Sequence, residues 1–415
     1  MISRREFLQA SAAACALYAG SGVGSIGRLA AQQRLSQADI LRFDPLGTVT
    51  ILHLSDVHAY LKPLYFREPS VNLGVGDDRG RPPHLTDRAF REHYRIATGS
   101  AEAYALTSDD FSALAGTYGR MGGMDRVATL VKAVRAERGD DKVLLLDGGD
   151  TWQGSWSALQ TRAADMVAVM EALKTDAMTA HWEFTLGEAR VKEIVETSPI
   201  AFLAQNIRSK EWQEEVFPAA KTFEKGGVKI AVIGQAMPRT PISNPAWMIP
   251  DWEFGLREDD MQKQVDKARA EGAAIVVLLS HNGVDNDKKM VGRVKGIDIC
   301  LTAHTHDAMP GVIQVGDTAV ICSGSHGKFV SRLDIEVKDG RMAGLRFKLM
   351  PVFSDAIAPD KEMAALIDTW RKPYEADLAR VVGHTESLLY RRGNFNGTFD
   401  DLICQAMLAE RDQEI

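Results

Sequence analysis

From Thr48 onward the chain alternates short β-like apolar runs with amphipathic helical stretches, and the residues able to do chemistry fall just past the ends of the runs. The runs are Thr48 to Leu54, Lys142 to Leu146, Ala177 to Ala180, Ile200 to Ala204, Val228 to Ile233, Ala274 to Leu279 and Asp298 to Thr302. Helical periodicity at Gly123 to Arg138, Ala164 to Leu173, Ala189 to Glu196 and Asp259 to Glu271 predicts helices between them. That alternation predicts an α/β fold, a sheet layered with helices, whose strand C-terminal ends form the natural site.

Taken in order, the strand ends supply Asp56-Val57-His58, Gly149-Asp150, His181, His281-Asn282-Gly283 and His304-Thr305-His306. Carboxylate and imidazole are ligands that borderline divalent metals accept, and five strand ends converging at one sheet edge can surround a pair of ions. Two ions about 3.5 to 4 Å apart can share and orient a hydroxide and neutralise charge on a reacting oxyanion. Each piece alone is common; the ordered set of five is not. Asp56, His58, Asp150, His181, His281, His304 and His306 are therefore the candidate ligands, and hydrolysis of an anionic, ester-like substrate is the expected chemistry. His53, His84, His93 and His326 read as ordinary core or surface histidines, although His53 lies on the strand that delivers Asp56 and could support it from behind.

The N-terminus reads Ser3-Arg4-Arg5-Glu6-Phe7-Leu8, then an apolar run from Ala10 to about Val23, then Arg28-Leu29-Ala30-Ala31. A twin arginine before a modest hydrophobic region and a small-residue site resembles a Tat export signal over residues 1–31; an amphipathic helix is the alternative. No later stretch is apolar enough over a sufficient length to span a membrane, so a soluble periplasmic protein is expected. The formal charge of −7 becomes −9 without residues 1–31, because Arg4, Arg5 and Arg28 outweigh Glu6 by two. A surface of that sign attracts neither nucleic acid nor anionic lipid, and an anionic substrate would need local help such as metal ions. Cys300, Cys322 and Cys404 have no paired spacing and read as buried core thiols. A monomer is expected.

Between Ala59 and Gly122 the pattern breaks into a long polar segment containing Gly74-Val75-Gly76-Asp77-Asp78-Arg79-Gly80, expected to be a lid, a binding loop or an insertion with irregular structure. Three β-rich stretches from Thr318 to Val352, two joined by Lys338-Asp339-Gly340, look like a closing antiparallel set. A helical stretch from Lys361 to Leu378 then leads into Val381-Val382-Gly383-His384-Thr385. The expected division is a signal at 1–31, a catalytic domain at 47–355 with its insertion at 59–122, and at 360–415 a linker helix and the start of a truncated C-terminal α/β domain.

The ordered ligand set resembles the calcineurin-like metallophosphoesterases, in particular the 5′-nucleotidase family, over about Thr48 to Val352. This resemblance implies a four-layer β-sandwich flanked by helices. It implies that Asp56, His58 and His306 hold one ion, that Asp150 bridges, and that His281 and His304 hold the second. His181 stands where the family has an asparagine ligand. Nucleotidases have Asn-His-Glu-Phe-Asp where this chain has His181-Trp182-Glu183-Phe184-Thr185, so their His/Asp dyad is absent. An alkoxide leaves poorly without a proton donor or charge stabiliser, whereas a persulfide is a weaker base and departs unaided. The departure favours a sulfur-based substrate.

Together with Leu54-Ser55-Asp56-Val57-His58-Ala59-Tyr60-Leu61-Lys62-Pro63 and Asp147-Gly148-Gly149-Asp150-Thr151-Trp152-Gln153-Gly154-Ser155, this stretch is similar to the SoxB thiosulfohydrolase family over nearly the whole mature chain. The resemblance implies a Tat-exported enzyme with two divalent ions, manganese in that family, acting on a cysteine S-thiosulfonate carried by SoxYZ. It implies catalytic roles for Asp150, His181 and Trp182. Trp182 would also wall the channel for the carrier's arm, with plain packing as the alternative. The 59–122 insertion either grips the carrier or has no partner. Gly383-His384-Thr385 and Arg391 to Asn396 resemble the opening of the family's C-terminal domain, most of whose substrate contacts would lie beyond Ile415. Competing readings are a 5′-nucleotidase-like phosphoesterase with an altered dyad, and a metal-stabilised binding protein without turnover.

Overall fold

The computed structural model describes residues 35–391 and 397–411. The expected export signal at 1–31 lies outside the described residues, as do Arg392 to Asn396. The chain lays down β1 (Val49–Leu54), β2 (Val143–Asp147), β3 (Ala177–Met178) and β4 (Ala201–Phe202), then β5 (Ile207–Ser209), β6 (Ala220–Lys225), β7 (Val228–Gln235) and β8 (Trp252–Phe254). It continues with β9 (Ile275–Ser280), β10 (Ile299–Thr302), β11 (Ile313–Val315) and β12 (Thr318–Cys322), followed by β13 (Phe329–Lys338) and β14 (Arg341–Pro351).

Two six-stranded sheets result, ordered β14-β13-β1-β2-β3-β4 and β11-β12-β10-β9-β7-β6. In the first, β1 to β4 are parallel. In the second, β7, β9, β10 and β12 are parallel. Parallel neighbours need crossovers, which the helices Met124–Arg138, Ala164–Ala172, Glu188–Thr197, Glu258–Ala270 and Val284–Arg293 supply.

Strand residues alternate faces, and the alternation builds the layers. Val49, Ile51, Leu144 and Leu146 of the first sheet share one core with Ile230, Val232, Ile275, Val277, Ile299 and Leu301 of the second. Their neighbours Leu52, Leu54, Val143 and Leu145 face Val127, Leu130 and Val131 on Met124–Arg138. On the far side, Ala231, Ile233, Val276 and Leu278 face Met261, Val265 and Met290. The order is helix, sheet, sheet, helix, as the family resemblance implied. Central strands covered on both faces read as unbroken apolar runs, which is why they were legible.

Three expectations need correction. The Thr318 to Val352 set is not one antiparallel unit: β13 and β14 pair antiparallel at the margin of the first sheet, whereas β12 lies parallel to β10 in the second. Period-2 patterning identifies a strand, not its partner. The Lys338-Asp339-Gly340 turn does form, with Asp339 at φ 52° and Gly340 at φ 71°, the positive pair a two-residue hairpin turn requires. The insertion is not irregular throughout, since it folds helices at Asp87–Tyr94, Ala101–Leu106 and Phe111–Tyr118. Each is about two turns or less, too short for periodicity to register; Ser100 caps the second through its side chain, and Phe90 anchors the first in the core. Cys300 and Cys322 are buried as expected, but Cys404 is exposed on the helix Thr398–Arg411, which has no buried residue.

The helical stretch after Pro359 runs Lys361–Arg371 and, past a turn holding Pro373, Glu375–Leu378. No helix among the described residues is long and apolar enough to cross a membrane.

Candidate metal centre

Five loops at the C-terminal ends of β1, β2, β3, β9 and β10 carry the seven candidate ligands, and all seven converge. Asp56, His58, Asp150 and His306 form one group, and Asp150, His181, His281 and His304 another, the ligand atoms in each lying within 4.8 Å of one another. Asp150 belongs to both.

The backbone that delivers them is unusual. Asp56, His58, Asp150, His304 and His306 all have positive φ, between 50° and 78°. Such left-handed conformations are uncommon for side chains of this size and persist where surrounding bonds over-determine them. Those bonds are present. Asp56 N–H donates to the Gly149 carbonyl at 2.8 Å, His58 N–H to the Asp150 carbonyl at 2.8 Å, and His326 N–H to the Asp56 carbonyl at 2.7 Å. Asp56 itself accepts the His304 N–H at 3.0 Å, tying the β10 loop to the β1 loop. Gly149 has φ 90°, and a side chain there would meet the Thr179 carbonyl at 2.7 Å.

Glu183, which matches the glutamate of the nucleotidase stretch Asn-His-Glu-Phe-Asp but was assigned no role there, joins the β2 and β3 loops. Its fully buried carboxylate accepts the N–H groups of Thr151 at 2.7 Å, His181 at 2.9 Å, and Asp150 and Trp152 at 3.2 Å each. The stretch it lies in does not announce that contact; only the fold brings four amides to one carboxylate.

The donor set fits a pair of divalent ions. Bonds of about 2.0–2.2 Å place neighbouring ligand atoms about 3.0–3.5 Å apart. His58 Nε2 and His306 Nε2 are 3.1 Å apart. From Asp150 Oδ2, His281 Nε2 lies at 3.2 Å, His181 Nδ1 at 3.4 Å and His58 Nε2 at 3.8 Å. His306 Nε2 is 3.5 Å from Asp56 Oδ1. Outward bonds settle which ring nitrogen is bare. His281 Nδ1–H donates to the Gly148 carbonyl at 2.6 Å and His58 Nδ1–H to the Gln153 carbonyl at 3.3 Å. The Ser243 hydroxyl donates to the Thr240 carbonyl, so its oxygen accepts from His181 Nε2–H at 3.1 Å. In each ring the remaining nitrogen faces inward, and in the neutral ring it is the one with the free lone pair, as in metal sites where an outer partner fixes the tautomer. His281 Nε2 is buried with no hydrogen-bond partner among the described residues.

Electrostatics point the same way. Burial pushes the Asp56 carboxyl up to about 7. Burial would raise Asp150 too, but the His281 charge close beside it and the neighbouring His181 ring hold it well below the usual carboxylate range. Burial disfavours a charged His281, yet Asp150 and Asp56 raise it to about 10. His304 falls to about 4 through burial and the neighbouring histidines. The cluster thus holds positive charge on His281 where a divalent ion would place more.

Trp182 sits at the rim, 38 % exposed, with its indole edge-on to His58 at 5.2 Å. Its backbone N–H donates to Asp150 Oδ1 at 2.7 Å. Thr185 spends its hydroxyl on the Trp182 carbonyl at 2.6 Å, away from the ligands.

Of the four background histidines, His326 was misjudged, whereas His53 lies where its strand suggested. His326 is at the site: its ring centre lies 5.3 Å from His306 and 5.5 Å from His58, with φ 57°. A lone His between Ser325 and Gly327 carries no motif, so nothing in the sequence flagged it. His53 is fully buried and pushed down to about 3 by burial; a side chain on Gly148 would lie 3.1 Å from its Nε2, so it packs beneath the loop that carries Asp150. His84 bonds Asn72 and Asp285, and His93 is an exposed neighbour of Tyr94.

Among solved structures, the sulfate thiohydrolase SoxB of Thermus thermophilus superposes with a TM-score of 0.85 and is 36% identical, covering 89% of this chain and 68% of that one. The chain belongs to the SoxB family. SoxB itself lies within the 5′-nucleotidase and metallophosphoesterase superfamily, and wider likenesses agree. A 5′-nucleotidase precursor, also from Thermus thermophilus, shares the fold at a TM-score of 0.68 and 22% identity, over 88% of this chain and 67% of that one. Human 5′-nucleotidase is 25% identical over 339 residues, 73% of this chain and 57% of the relative, so the chain spans little more than half of that protein. No family model matches the chain.

Proposed function

We propose that this chain is a periplasmic, Tat-exported thiosulfohydrolase that removes the sulfonate from a cysteine S-thiosulfonate on a SoxYZ carrier and releases sulfate. Residues 47–355 form the catalytic unit in this reading, and 360–415 the linker and start of a further domain. The observation that carries it is the rim beside Asp150. Where a phosphoesterase needs an acid for its leaving group, this site has the Trp182 indole and a Thr185 hydroxyl already engaged with backbone. A leaving group that departs unprotonated suits such a rim, and a persulfide is one. Identity of 36% to a SoxB protein supports the same substrate class.

In the reaction, an oxygen from water bonds to the terminal sulfonate sulfur and the S–S bond breaks. Its electron pair leaves on the persulfide, and the water protons go to solvent and product. Asp56, His58, Asp150 and His306 would hold one divalent ion, and Asp150, His181, His281 and His304 the other; manganese is the proposed metal. Bound there, the pair supplies an activated water and positive charge for the sulfonate oxygens. The chain's part is to keep the donors in place. Gln153, Gly148 and Ser243 hold outward protons on His58, His281 and His181, and the Trp182 backbone N–H fixes the second oxygen of Asp150. Trp182 shields one side of the reacting centre.

Single-turnover sulfate release from a thiosulfonated carrier, comparing the intact protein with Asp150→Ala, tests this. Loss of release in the variant is expected; release independent of Asp150 removes the mechanism. The likeness to human 5′-nucleotidase supports a second reading, a phosphoesterase. Turnover of a nucleotide at the rate seen for the carrier would favour it.

A further inference from the structure

Beyond the ligand clusters, a cavity of about 440 Å³ lies between the segment 60–69 and residues 388–391, with His306 and His326 in its wall. Tyr60, Phe66 and Tyr390 line it, and so does Arg67. Other charges on this cavity are engaged: Glu68 pairs with Lys328, and Arg391 with Asp400. Arg67 is not. Its guanidinium lies over the Tyr390 ring, 4.8 Å from the centroid, and its Nη1 is buried without a hydrogen-bond partner among the described residues. Asp110 lines an adjoining cavity with Arg67 but makes no ion pair with it. Buried polar groups in folded proteins are nearly always satisfied, and an unsatisfied one calls for a reason. In a chain with a net charge of −7, a guanidinium that lines a cavity shared with His306 and pairs with no carboxylate among the described residues is a site prepared for an anion.

We propose that Arg67, held against Tyr390, is a carboxylate subsite for a peptidyl substrate whose sulfonate end lies at the Asp/His cluster. This rests on the thiosulfohydrolase reading. A planar fork matches a planar carboxylate through two parallel N–H bonds, whereas the tetrahedral sulfonate is accounted for at the cluster. The carboxylate is either a chain terminus or an acidic side chain close to the modified cysteine.

The test is calorimetric binding to the metal-loaded protein. The probes are Ala-Cys-Ala analogues carrying a sulfonate, with two methylenes in place of the bridging sulfurs and so no S–S bond to hydrolyse. Three are compared: the free acid, its C-terminal amide, and an amide with Asp in the last position. The free acid or the Asp amide, whichever matches the source, binds about tenfold tighter than the plain amide. Arg67→Gln removes that difference while leaving plain-amide affinity, metal content and Tm unchanged, and Arg67→Lys restores part of it. Equal affinity of all three for the unaltered protein, no binding at all, or a difference that survives in Arg67→Gln would each overturn the subsite. Sulfate release from the hydrolysable peptide is measured separately. Its absence, with the Arg67-dependent difference intact, would remove the reaction and leave the subsite.

Discussion

Replacing Glu183 by Gln separates what holds the site from what does the chemistry. The native carboxylate takes two N–H groups on each oxygen: Thr151 and Trp152 on Oε1, Asp150 and His181 on Oε2. Glutamine keeps one acceptor oxygen and turns an NH2 toward the other two amides, so two charge-assisted bonds become donor facing donor. Each such bond contributes about 1.5–3 kcal/mol, and the group is wholly buried, so relaxation through solvent is closed. A loss of about 3–5 kcal/mol is expected in urea unfolding of the metal-free protein, with an unchanged m-value. Because Asp150 and His181 sit on the two loops that Glu183 joins, metal affinity should fall by about 10- to 100-fold. Both ions should be affected, since Asp150 is common to both groups. Wild-type stability and full metal stoichiometry in Glu183→Gln would refute the reasoning, because the loops would then be held by something other than this carboxylate.

Restoring the missing dyad with Trp182→His and Thr185→Asp together should raise turnover of a chromogenic phosphate ester by about 100-fold while leaving sulfate release no faster; unchanged phosphate turnover would mean the rim does not select the leaving group. Ser243→Ala frees His181 Nε2 and should weaken one ion about tenfold while sparing the other, so that a metal titration resolves into two steps. The pH dependence of the metal-free protein has a definite sign. His281 is raised to about 10, so its contribution is complete below about 6.5, its unfolded value, and is lost as pH rises toward 10. Asp56, raised to about 7, likewise favours the folded state only while protonated. Metal-free protein should therefore unfold at lower urea at pH 9 than at pH 6. Metal loading should remove that decline, since an ion replaces the proton on His281. A metal-free protein equally stable at both values would contradict the charge assignment.

What could be read from the chain and what could not divide along a physical line. Ile275 to Leu279 and Val49 to Leu54 are covered on both faces, so their apolar runs were plain, and so were the chemical groups placed just beyond them. Asp and His announce their ligand chemistry by type, and five strand ends in order leave little else for them to do. Partner choice was not plain. β12 and β13 show the same patterning yet lie in different sheets, because pairing is decided by what covers each face and not by local periodicity. The left-handed backbone at Asp56, His58, Asp150, His304 and His306 was equally hidden, since Asp and His adopt it more often than most residues but still in a minority of cases. The strain is held by bonds between loops distant in sequence: Asp56 to Gly149, His326 to Asp56, Glu183 to four amides. The Asp56–Gly149 and Glu183 bonds form only when neighbouring strands of the first sheet have paired, and His326 arrives where the chain passes from the second sheet to the first, so the local sequence does not announce them. Ligand identity is therefore a property of the sequence, whereas ligand placement belongs to the assembled sandwich. That is why Ser243 and His326 went unmarked, and why Glu183, though it sits in a stretch shared with the nucleotidases, gave no hint of the four amides it holds.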